Sequence, residues 1–437
     1  MRTFRFLEAE YRDGELRLGY AFDGGPDLVE RLRFPDAPRP APERAPAFAA
    51  ALRLLHLIAG VSYYKAFAPA RIEVAGQPPD PALAAALEEI YVEGLAEFAF
   101  RNGIELAGAV RFPASGAVPA PPPPCPLPRR ALVPLGGGKD SLVALELLKA
   151  AGEPLLAVWV GRSALIAACA ERAGVPALAI ERELAPELFE LNRQGALNGH
   201  VPVTAIHSAI LTVAALLYGA DAIVFANERS ADLPTRVAGG RAVNHQWSKS
   251  LRFETLFREL LRRRVAGELE YFSLLRGWTE LAVARRFARL PQYFEVFSSC
   301  NRNFRILGTR PASRWCGECP KCHFVFLALA PFLPKPTLCA IFGRNLLDEE
   351  ALISPLCRAR GRGRRAPLRV RGRDPRGAGR ARRARGARGV ARGRGAGRGR
   401  GLAPGVGRAA AARGHCSAAE GPDHVPARLR RVADAAG

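Results

Sequence analysis

The stretch ALVPLGGGKDSLVALELLKAAG, residues 131–152, decides the fold of this chain. A short apolar run leads into three consecutive glycines, then into Lys139, Asp140 and Ser141, and then into apolar residues at helical spacing. Glycine has no Cβ, so the backbone can approach an anion closely. The helix that follows points its free N–H groups and its positive dipole end at that anion. The stretch therefore predicts a strand, a phosphate-binding turn and a helix, in that order.

Strand-like and helix-like segments alternate after this turn. Apolar runs predict strands at residues 131–135, 154–160, 176–182 and 222–226. The segments between them predict helices at residues 141–151, 163–173 and 204–219. Strands separated by helices of this length indicate a parallel sheet that is covered on both faces. We therefore predict an α/β fold with a doubly wound, mostly parallel sheet, whose ligands bind beyond the carboxyl ends of the strands.

The residues ahead of the turn predict a small α+β N-terminal domain. Alternating apolar residues over 3–22 form a hairpin pattern that turns at Asp13-Gly14, a dipeptide that tolerates positive φ. Helical spacing follows at 45–57 and 81–102, and eight prolines between Pro113 and Pro128 indicate a stiff linker. The predicted division is an N-terminal domain at 1–112, a linker at 113–130, a catalytic domain at 131–357 and a tail at 358–437.

The positive charge of the chain is concentrated in the tail. The net charge is +23, and residues 358–437, with 23 arginines and four acidic residues, hold +19 of it. The tail consists largely of Arg, Gly, Ala and Pro and has no periodic apolar face, so we predict that it is disordered. Two interpretations stay open: an RNA-binding arm that neutralises phosphates, and a reading-frame slip in a GC-rich gene, which we favour. We expect no nucleic-acid contact except through this tail.

The sequence predicts neither a membrane span nor an export signal. The longest apolar stretch, residues 209–218, is shorter than the roughly 18 residues that a membrane helix needs. Apolar residues near the N-terminus are interleaved with charges, unlike those of a secretory signal. We therefore expect a cytoplasmic protein.

Two familiar phosphate-binding motifs do not match the glycine turn. A Walker A loop requires a glycine where this sequence has Val133, and a dinucleotide-binding loop requires one at Ser141. The segment GGGKDS, residues 136–141, instead resembles the Ser-Gly-Gly-x-Asp-Ser pyrophosphate loop of the adenine-nucleotide alpha-hydrolase-like enzymes. Those enzymes cleave ATP between its α and β phosphates. The resemblance implies that this turn binds the pyrophosphate through Gly136, which replaces the first serine, and through Gly137, Gly138, Lys139, Asp140 and Ser141.

Two polar loops supply candidate catalytic groups. ANERSADLPTR, residues 226–236, follows the apolar run AIVF, and VNHQWSKSLRFE, residues 243–254, comes shortly after it. His245 and Lys249 are candidate acid/base residues, because both side chains can transfer protons and both lie beyond the predicted sheet. Arg229 is a candidate for binding an anionic group. The alternative interpretation is a pair of solvated loops.

Four cysteines predict a metal site. Cys316, Cys319 and Cys322 are spaced at Cys-x-x-Cys intervals, and Cys300 could complete a set of four. Four thiolates leave no open position for catalysis, so the expected ion is a structural Zn²⁺. A redox dithiol and a group of reduced core cysteines are the alternatives.

The order of these motifs supports a further resemblance. A pyrophosphate loop followed by Cys…Cys-x-x-Cys-x-x-Cys is similar to the 7-cyano-7-deazaguanine synthases. The segments SYYK at 62–65, NERS at 227–230 and NHQWSKS at 244–250 look more like the bacterial UDP-N-acetylmuramoyl-L-alanyl-L-glutamate epimerases. This resemblance runs from about Phe4 to about Leu356, and the arginine-rich tail departs from it. A tRNA-modifying pyrophosphate-loop enzyme is a third interpretation, which the basic tail favours.

The epimerase resemblance implies a reaction and a set of ligands. The terminal L-Glu of UDP-N-acetylmuramoyl-L-Ala-L-Glu would be inverted to D-Glu through an acyl-adenylate, in peptidoglycan precursor synthesis. ATP and Mg²⁺ would be required, and no pyridoxal cofactor is implied. Asp140 would lie near the magnesium ion, and His245 or Lys249 would act as the base. Arg229, Lys249 and Arg314 are the residues that would meet the dipeptide carboxylates or the diphosphate.

Overall fold

A computed structural model describes residues 1–36, 39–116, 120–234, 236–238, 241–305, 309–348 and 425–434. The strands are β1 (Thr3–Arg12), β2 (Glu15–Phe22), β3 (Asp27–Arg33), β4 (Arg71–Val74), β5 (Ala131–Pro134), β6 (Leu155–Val160), β7 (Ala177–Glu183), β8 (Ala222–Phe225), β9 (Arg236–Ala238), β10 (Arg241–Val243) and β11 (Glu270–Ser273). The α-helices are α1 (Ala45–Ala59), α2 (Val61–Tyr64), α3 (Pro81–Gly94), α4 (Ala96–Asn102), α5 (Lys139–Ala150), α6 (Ala164–Ala173), α7 (Pro186–Arg193), α8 (Val203–Tyr218), α9 (Leu251–Arg264), α10 (Glu280–Phe287), α11 (Pro320–Leu329), α12 (Lys335–Phe342) and α13 (Ala427–Asp434).

Nine of the described strands form one sheet, in the order β11-β8-β5-β6-β7-β3-β2-β1-β4. The five strands from β11 to β7 are parallel, with β5 at their centre. β9 and β10 form a separate two-stranded ribbon. The predicted α/β fold with a mostly parallel sheet is confirmed, and the hairpin β1–β2 turns at Asp13 and Gly14, both with positive φ.

The sheet is covered on both faces because its apolar side chains alternate between two cores. Leu132 of β5 and Ile223 of β8 belong to the core that α1, α8 and α9 cover. Their neighbours Val133 and Val224 belong to the opposite core, beneath α5, α10 and α11. Successive strand residues point to opposite faces, so a continuous apolar run fills both cores at once.

The N-terminal strands extend the same sheet. β3 pairs antiparallel with β7, and Arg33 lies opposite Glu181. At this seam Arg182 of β7 donates to the fully buried Glu30 of β3 at 2.7 Å. The residues on either side of the predicted proline linker therefore share one sheet, and their division into two domains stays a prediction.

Ten residues of the predicted tail, 425–434, are described, and eight of them form α13, which packs on the part of the chain that follows the proline linker. Leu429 of α13 is buried in the core beneath α5 and α10. Arg428 forms ion pairs with Glu153 at 3.4 Å and Asp221 at 2.9 Å. Over 425–434 the structure thus corrects the expectation of a tail without structure. The remainder of the tail lies outside the described residues.

One described stretch, Pro42–Tyr64, is long and apolar enough to cross a membrane. It contains α1 and α2, and most of it is buried in the protein core, as is usual for a core helix. The apolar residues 209–218 belong to α8, which packs against α1 on the same face of the sheet.

Candidate active site

The glycine turn connects β5 to α5 at the carboxyl edge of the sheet, as predicted. Gly137 has φ of +75°, which a residue with a Cβ rarely adopts, and Gly138 is the extended residue before α5. The Ser141 hydroxyl donates to the Gly138 carbonyl at 3.1 Å and accepts from the Gly136 N–H at 3.3 Å. Among the described residues no side chain caps α5, so its first N–H groups stay available for an anion.

Lys139 is buried beside the turn and is held by two carboxylates. Its ammonium forms ion pairs with the adjacent Asp140 and with Glu280, the latter at 2.5 Å. Burial alone would lower the pKa of Lys139, but the attraction of both carboxylates outweighs burial and raises it above its ordinary value. Lys139 therefore stays charged at the point where the turn would receive an anion.

Two further acidic groups complete this part of the site. Burial would raise the pKa of Asp140, but Lys139, Lys321 and Lys249 together lower it, so Asp140 is ionised. Glu228 behaves in the opposite way, because burial and repulsion from Glu280 and Asp140 raise its pKa, against hydrogen bonds from Ser230. Asp140 and Glu228 thus have opposite tendencies within one cluster, which is a common feature of catalytic sites.

Lys249 is the last residue of the short 3₁₀ turn Trp247–Lys249, and the charges of Lys321, Asp140 and Glu228 act on its ammonium. Its side chain is exposed, but partial desolvation of its ammonium by the surrounding protein, with repulsion from Lys321, lowers the pKa of Lys249. The Lys249 carbonyl accepts from the buried Arg276 at 2.9 Å, and Arg276 is paired with Glu254 at 2.7 Å. The buried pair therefore holds the backbone of Lys249 in place.

His245 lies four residues before Lys249 in the chain and is half-buried. Its ring packs edge-on against His200, with centroids 6.0 Å apart, and its Nε2 lies 3.4 Å from the Gln246 amide nitrogen. Burial lowers the pKa of His245, and Lys249 and Lys321 lower it further against the attraction of Glu97. A neutral imidazole is therefore favoured at neutral pH.

The side chain of Arg229 is exposed, as is that of Lys249. The backbone N–H of Arg229 donates to the Trp278 carbonyl at 3.1 Å, which joins the Glu228 loop to the segment that leads into Glu280. Within the described part of the chain no ion pair connects Arg229 to the glycine turn. Arg314 is also engaged elsewhere, since its guanidinium donates to the Phe294 carbonyl at 2.8 Å.

Sequence reasoning did not single out Glu280 or the role of Lys321. Glu280 is the first residue of a short helix capped by Thr279, a position where acidic residues are common for local reasons. Lys321 lies within the cysteine pattern, so its neighbours in sequence suggested only a metal site. The ion pair of Glu280 with Lys139 and the repulsion between Lys321 and Lys249 leave no signal in the sequence around Glu280 or Lys321.

The four predicted cysteines converge, and all four Sγ atoms lie within 4.8 Å of one another. Cys319 is 3.4 Å from Cys322 and 3.9 Å from Cys300, and Cys316 is 3.8 Å from Cys322. A tetrahedron of thiolates at about 2.3 Å from zinc has edges of about 3.8 Å. The cysteines are free rather than paired in disulfides, so the cluster has the donors and the spacing to hold a metal ion.

The cysteine cluster is attached directly to the glycine turn. Ser298 accepts from the Cys300 N–H at 3.1 Å through its hydroxyl and donates its own N–H to the Gly137 carbonyl at 2.9 Å. Cys319 and Cys322 lie on either side of Lys321 at the start of α11, and the charge of the Lys321 ammonium acts on both Lys249 and Asp140. The described structure thus places the cysteine cluster against the turn and brings Lys249 and His245 within electrostatic range of Lys321.

Comparisons with known proteins agree on one family. The family model for the MurL N-terminal domain matches residues 1–274, and that for the MurL C-terminal domain matches residues 296–367. A UDP-N-acetyl-alpha-D-muramoyl-L-alanyl-L-glutamate epimerase from Xanthomonas oryzae pv. oryzae is 55% identical over 350 residues, or 79% of this chain and 78% of the relative. Proteins of the same name from Salinispora tropica and Micromonospora sp. are 43% and 42% identical, each over 80% of this chain and over 77% and 79% of their own lengths.

Proposed function

The chain belongs to the UDP-N-acetyl-alpha-D-muramoyl-L-alanyl-L-glutamate epimerase family, and on this premise we propose that it inverts the terminal L-Glu of UDP-N-acetylmuramoyl-L-Ala-L-Glu to D-Glu at the expense of ATP. The product would serve peptidoglycan precursor synthesis in the cytoplasm. The observation that supports an ATP-dependent route is the glycine turn with the buried Lys139, next to Asp140, whose charge interacts with the base candidate Lys249.

The chemistry explains why an epimerase of this substrate would need a nucleotide. Removing the α-proton of a free carboxylate places a second negative charge beside the first. If the carboxylate is first joined to AMP, its charge is neutralised and the carbonyl oxygen can accept the charge that develops. Proton removal at Cα then becomes feasible, and return of a proton to the opposite face gives D-Glu. Hydrolysis of the adenylate releases AMP.

The turn is suited to bind the pyrophosphate that leaves when the adenylate forms. The N–H groups of Gly137 and Gly138 and the uncapped start of α5 supply donors, and Lys139 supplies a fixed positive charge. The ion pair with Glu280 holds the ammonium in place before ATP arrives, so little reorganisation is needed. Ser141 is engaged within the turn and acts mainly on its shape.

Asp140 is the residue that would hold Mg²⁺. It is ionised and partly exposed, and Mg²⁺ commonly takes one or two protein carboxylates together with substrate phosphates. When bound, the ion would neutralise the charge of the phosphates. The described residues contain one cluster of three or more metal-ligating side chains, and that cluster is the four cysteines, so a magnesium ion would depend on the nucleotide for most of its ligands.

Lys249 is our candidate for the base that removes the α-proton, with His245 as a second acid/base group. The lowered pKa of Lys249 makes its neutral amine more available near neutral pH than that of a free lysine. His245 is also favoured in the neutral form. The two groups, four residues apart in the chain, would supply one acceptor for the α-proton and one donor for its return.

The cysteine cluster would hold a structural Zn²⁺. Its four sulfurs fill a tetrahedral set, so no position is open for substrate. Its contribution would be to fix Lys321 and the Ser298 segment against the glycine turn.

The direct test combines two readouts on the purified protein with ATP, Mg²⁺ and the UDP-muramoyl dipeptide. We expect release of pyrophosphate and, in D₂O, deuterium at the glutamate Cα with inverted configuration. Lys139→Met should abolish both, while Lys149→Met, on the last turn of the same helix, should leave both intact. Inversion without ATP, or full activity of Lys139→Met, would overturn the proposal.

A further inference from the structure

A cavity of about 420 Å³ lies beside the glycine turn, beyond the carboxyl ends of β6 and β7. A Cβ at Gly137 would be 3.3 Å from Ile166 and 3.4 Å from Phe304, and both side chains line this cavity. The turn and the cavity therefore share a wall. A volume of this size is typical of a site for a small molecule or for one part of a larger one, about 300–1,000 Å³.

Arginines dominate the lining of the cavity. β3 contributes Arg31 and Arg33, and the other four arginines are Arg162, Arg182, Arg305 and Arg310. The acidic residues of the lining are Glu181 and Glu183. Such a density of guanidinium groups around one cavity is typical of a phosphate site, because the planar fork of arginine matches phosphate oxygens.

Four of these arginines are already paired. Arg182 is held by the buried Glu30 at 2.7 Å, and Arg162 by Glu181 at 2.6 Å. Arg31 and Arg33 share Glu15, at 3.6 and 3.2 Å.

Arg305 and Arg310 are different, since neither forms an ion pair within the described part of the chain. Both side chains are exposed. Against the four acids Glu15, Glu30, Glu181 and Glu183, the six arginines leave an excess of two positive charges. This excess matches the charge of a doubly ionised diphosphate that links two groups.

The proposed reaction has two substrates that carry phosphate, ATP and the UDP-linked dipeptide, and each needs its own phosphate-binding groups on the protein. The phosphates of ATP are served by the glycine turn and Lys139, and its adenosine is uncharged and needs no arginine. The diphosphate of the UDP-linked substrate is still without partners. Phe304, which is 37% exposed at the cavity, also offers an aromatic face on which a base can stack.

We propose that this cavity binds the uridine diphosphate part of the substrate, with Arg305 and Arg310 on the diphosphate and Phe304 against the uracil ring. This inference rests on the proposed function, because it takes the UDP-linked dipeptide as the substrate. The shared wall at Gly137 then places the substrate's nucleotide next to the glycine turn.

The test compares the Arg305→Gln, Arg310→Gln double variant with a matched control, Arg12→Gln, Arg71→Gln. The control removes the same charge from two exposed arginines on β1 and β4, at the far edge of the sheet. We expect the cavity variant to raise the Kd for UDP and the KM for the UDP-linked substrate by about tenfold or more, with the KM for ATP unchanged. Phe304→Ala should weaken the binding of UDP more than the binding of inorganic pyrophosphate.

Binding of UDP, followed by calorimetry, requires no turnover, so it separates this inference from the proposed function. If wild-type protein does not bind UDP, or if the cavity variant binds it as well as the control does, the cavity is not the diphosphate site. A rise in the KM for ATP alone would assign the cavity to the co-substrate and also overturn the inference. A failure of epimerisation in wild-type protein that still binds UDP through these arginines would count against the proposed function only.

Discussion

The backbone N–H of Ser298 donates to the carbonyl oxygen of Gly137 at 2.9 Å, two residues before Cys300. The Ser298 hydroxyl in turn accepts from the Cys300 N–H at 3.1 Å and donates to the Arg314 carbonyl at 2.7 Å. The glycine turn and the cysteine cluster are therefore parts of one hydrogen-bonded unit. A site for an anion and a site suited to a metal are mechanically coupled, although neither uses the other's ligands.

This coupling predicts that loss of a metal ligand impairs the nucleotide step. Cys322→Ser should lower the bound zinc and the melting temperature, and should reduce pyrophosphate release by more than about tenfold, because the Ser298 segment would no longer be fixed. Cys339→Ser is the matched control, since this half-buried cysteine lies outside the cluster. Metal analysis, thermal unfolding and a pyrophosphate assay provide the three readouts. Normal activity in a zinc-free Cys322→Ser protein would contradict the coupling.

A second prediction concerns the backbone of the turn. Gly137→Ala should destabilise the protein by about 1–2 kcal/mol, because φ is +75° and the new Cβ would press on Ile166 and Phe304. At Gly136 a Cβ meets nothing within 4 Å, so Gly136→Ala should leave the free energy of unfolding nearly unchanged. Urea unfolding measures both. Equal stability of the two variants would show that the turn is free to relax.

The proposed base gives a prediction about pH. A lysine must lose its proton to act as a base, so activity should rise with pH toward the pKa of Lys249, which lies below the usual lysine value. Lys249→Arg cannot deprotonate, and we expect kcat to fall about 10²- to 10⁴-fold with a small change in KM. Lys321→Met removes a repelling charge, so it should raise the pKa of Lys249 and move the acidic limb of the profile to higher pH.

The control for this series is Lys335→Met, since Lys335 is exposed and pairs with Asp348 at the surface. Its pH profile should match that of the wild-type protein. If Lys249→Arg keeps its kcat while a His245→Gln variant loses it, the base is His245.

The helix α13 provides a prediction about the chain end. Leu429 is 1% exposed, and the Trp278 indole donates to the Ala433 carbonyl at 2.6 Å. Leu429→Asp should lower the free energy of unfolding by about 2–3 kcal/mol and change tryptophan fluorescence, because a charge cannot be buried there without a partner. Ala427→Asp, on the exposed side of the helix, should have little effect. Identical unfolding curves for the two variants would mean that α13 is not docked in solution.

His56 predicts how stability depends on pH. It is buried in α1, donates to the Gly19 carbonyl at 2.8 Å, and burial lowers its pKa to about 4 from 6.5. The folded-state pKa is below the unfolded one, so the stabilisation is complete above pH about 6.5 and is lost as the pH falls through about 4. The loss amounts to about 3 kcal/mol. His56→Gln keeps a donor but cannot titrate, so wild-type protein should lose this much stability relative to the variant between pH 7 and 4. A constant difference in urea unfolding over that range would contradict the assignment.

Much of the catalytic half could be predicted from sequence because its signals are local. The apolar run that ends at Pro134 predicts a strand, the glycines predict a turn, and the apolar periodicity of α5 predicts a helix. Each of these conformations depends on sterics and burial among adjacent residues. The spacing of Cys316, Cys319 and Cys322 is likewise a local signal, whereas Cys300 lies 16 residues before Cys316 and joins them only through the fold.

Tertiary structure alone decided which charges meet. Glu280 reaches Lys139 because α10 packs on α5. Lys321 repels Lys249 because the start of α11 lies within electrostatic range of Lys249. In the same way, the pairing of β3 with β7 joins the N-terminal strands to the nucleotide half and brings Arg33 opposite Glu181. The sequence determined the conformation of each element, since sterics and hydrophobic periodicity act over a few residues. Electrostatic contacts act through space between segments distant in the chain, so only packing could set them.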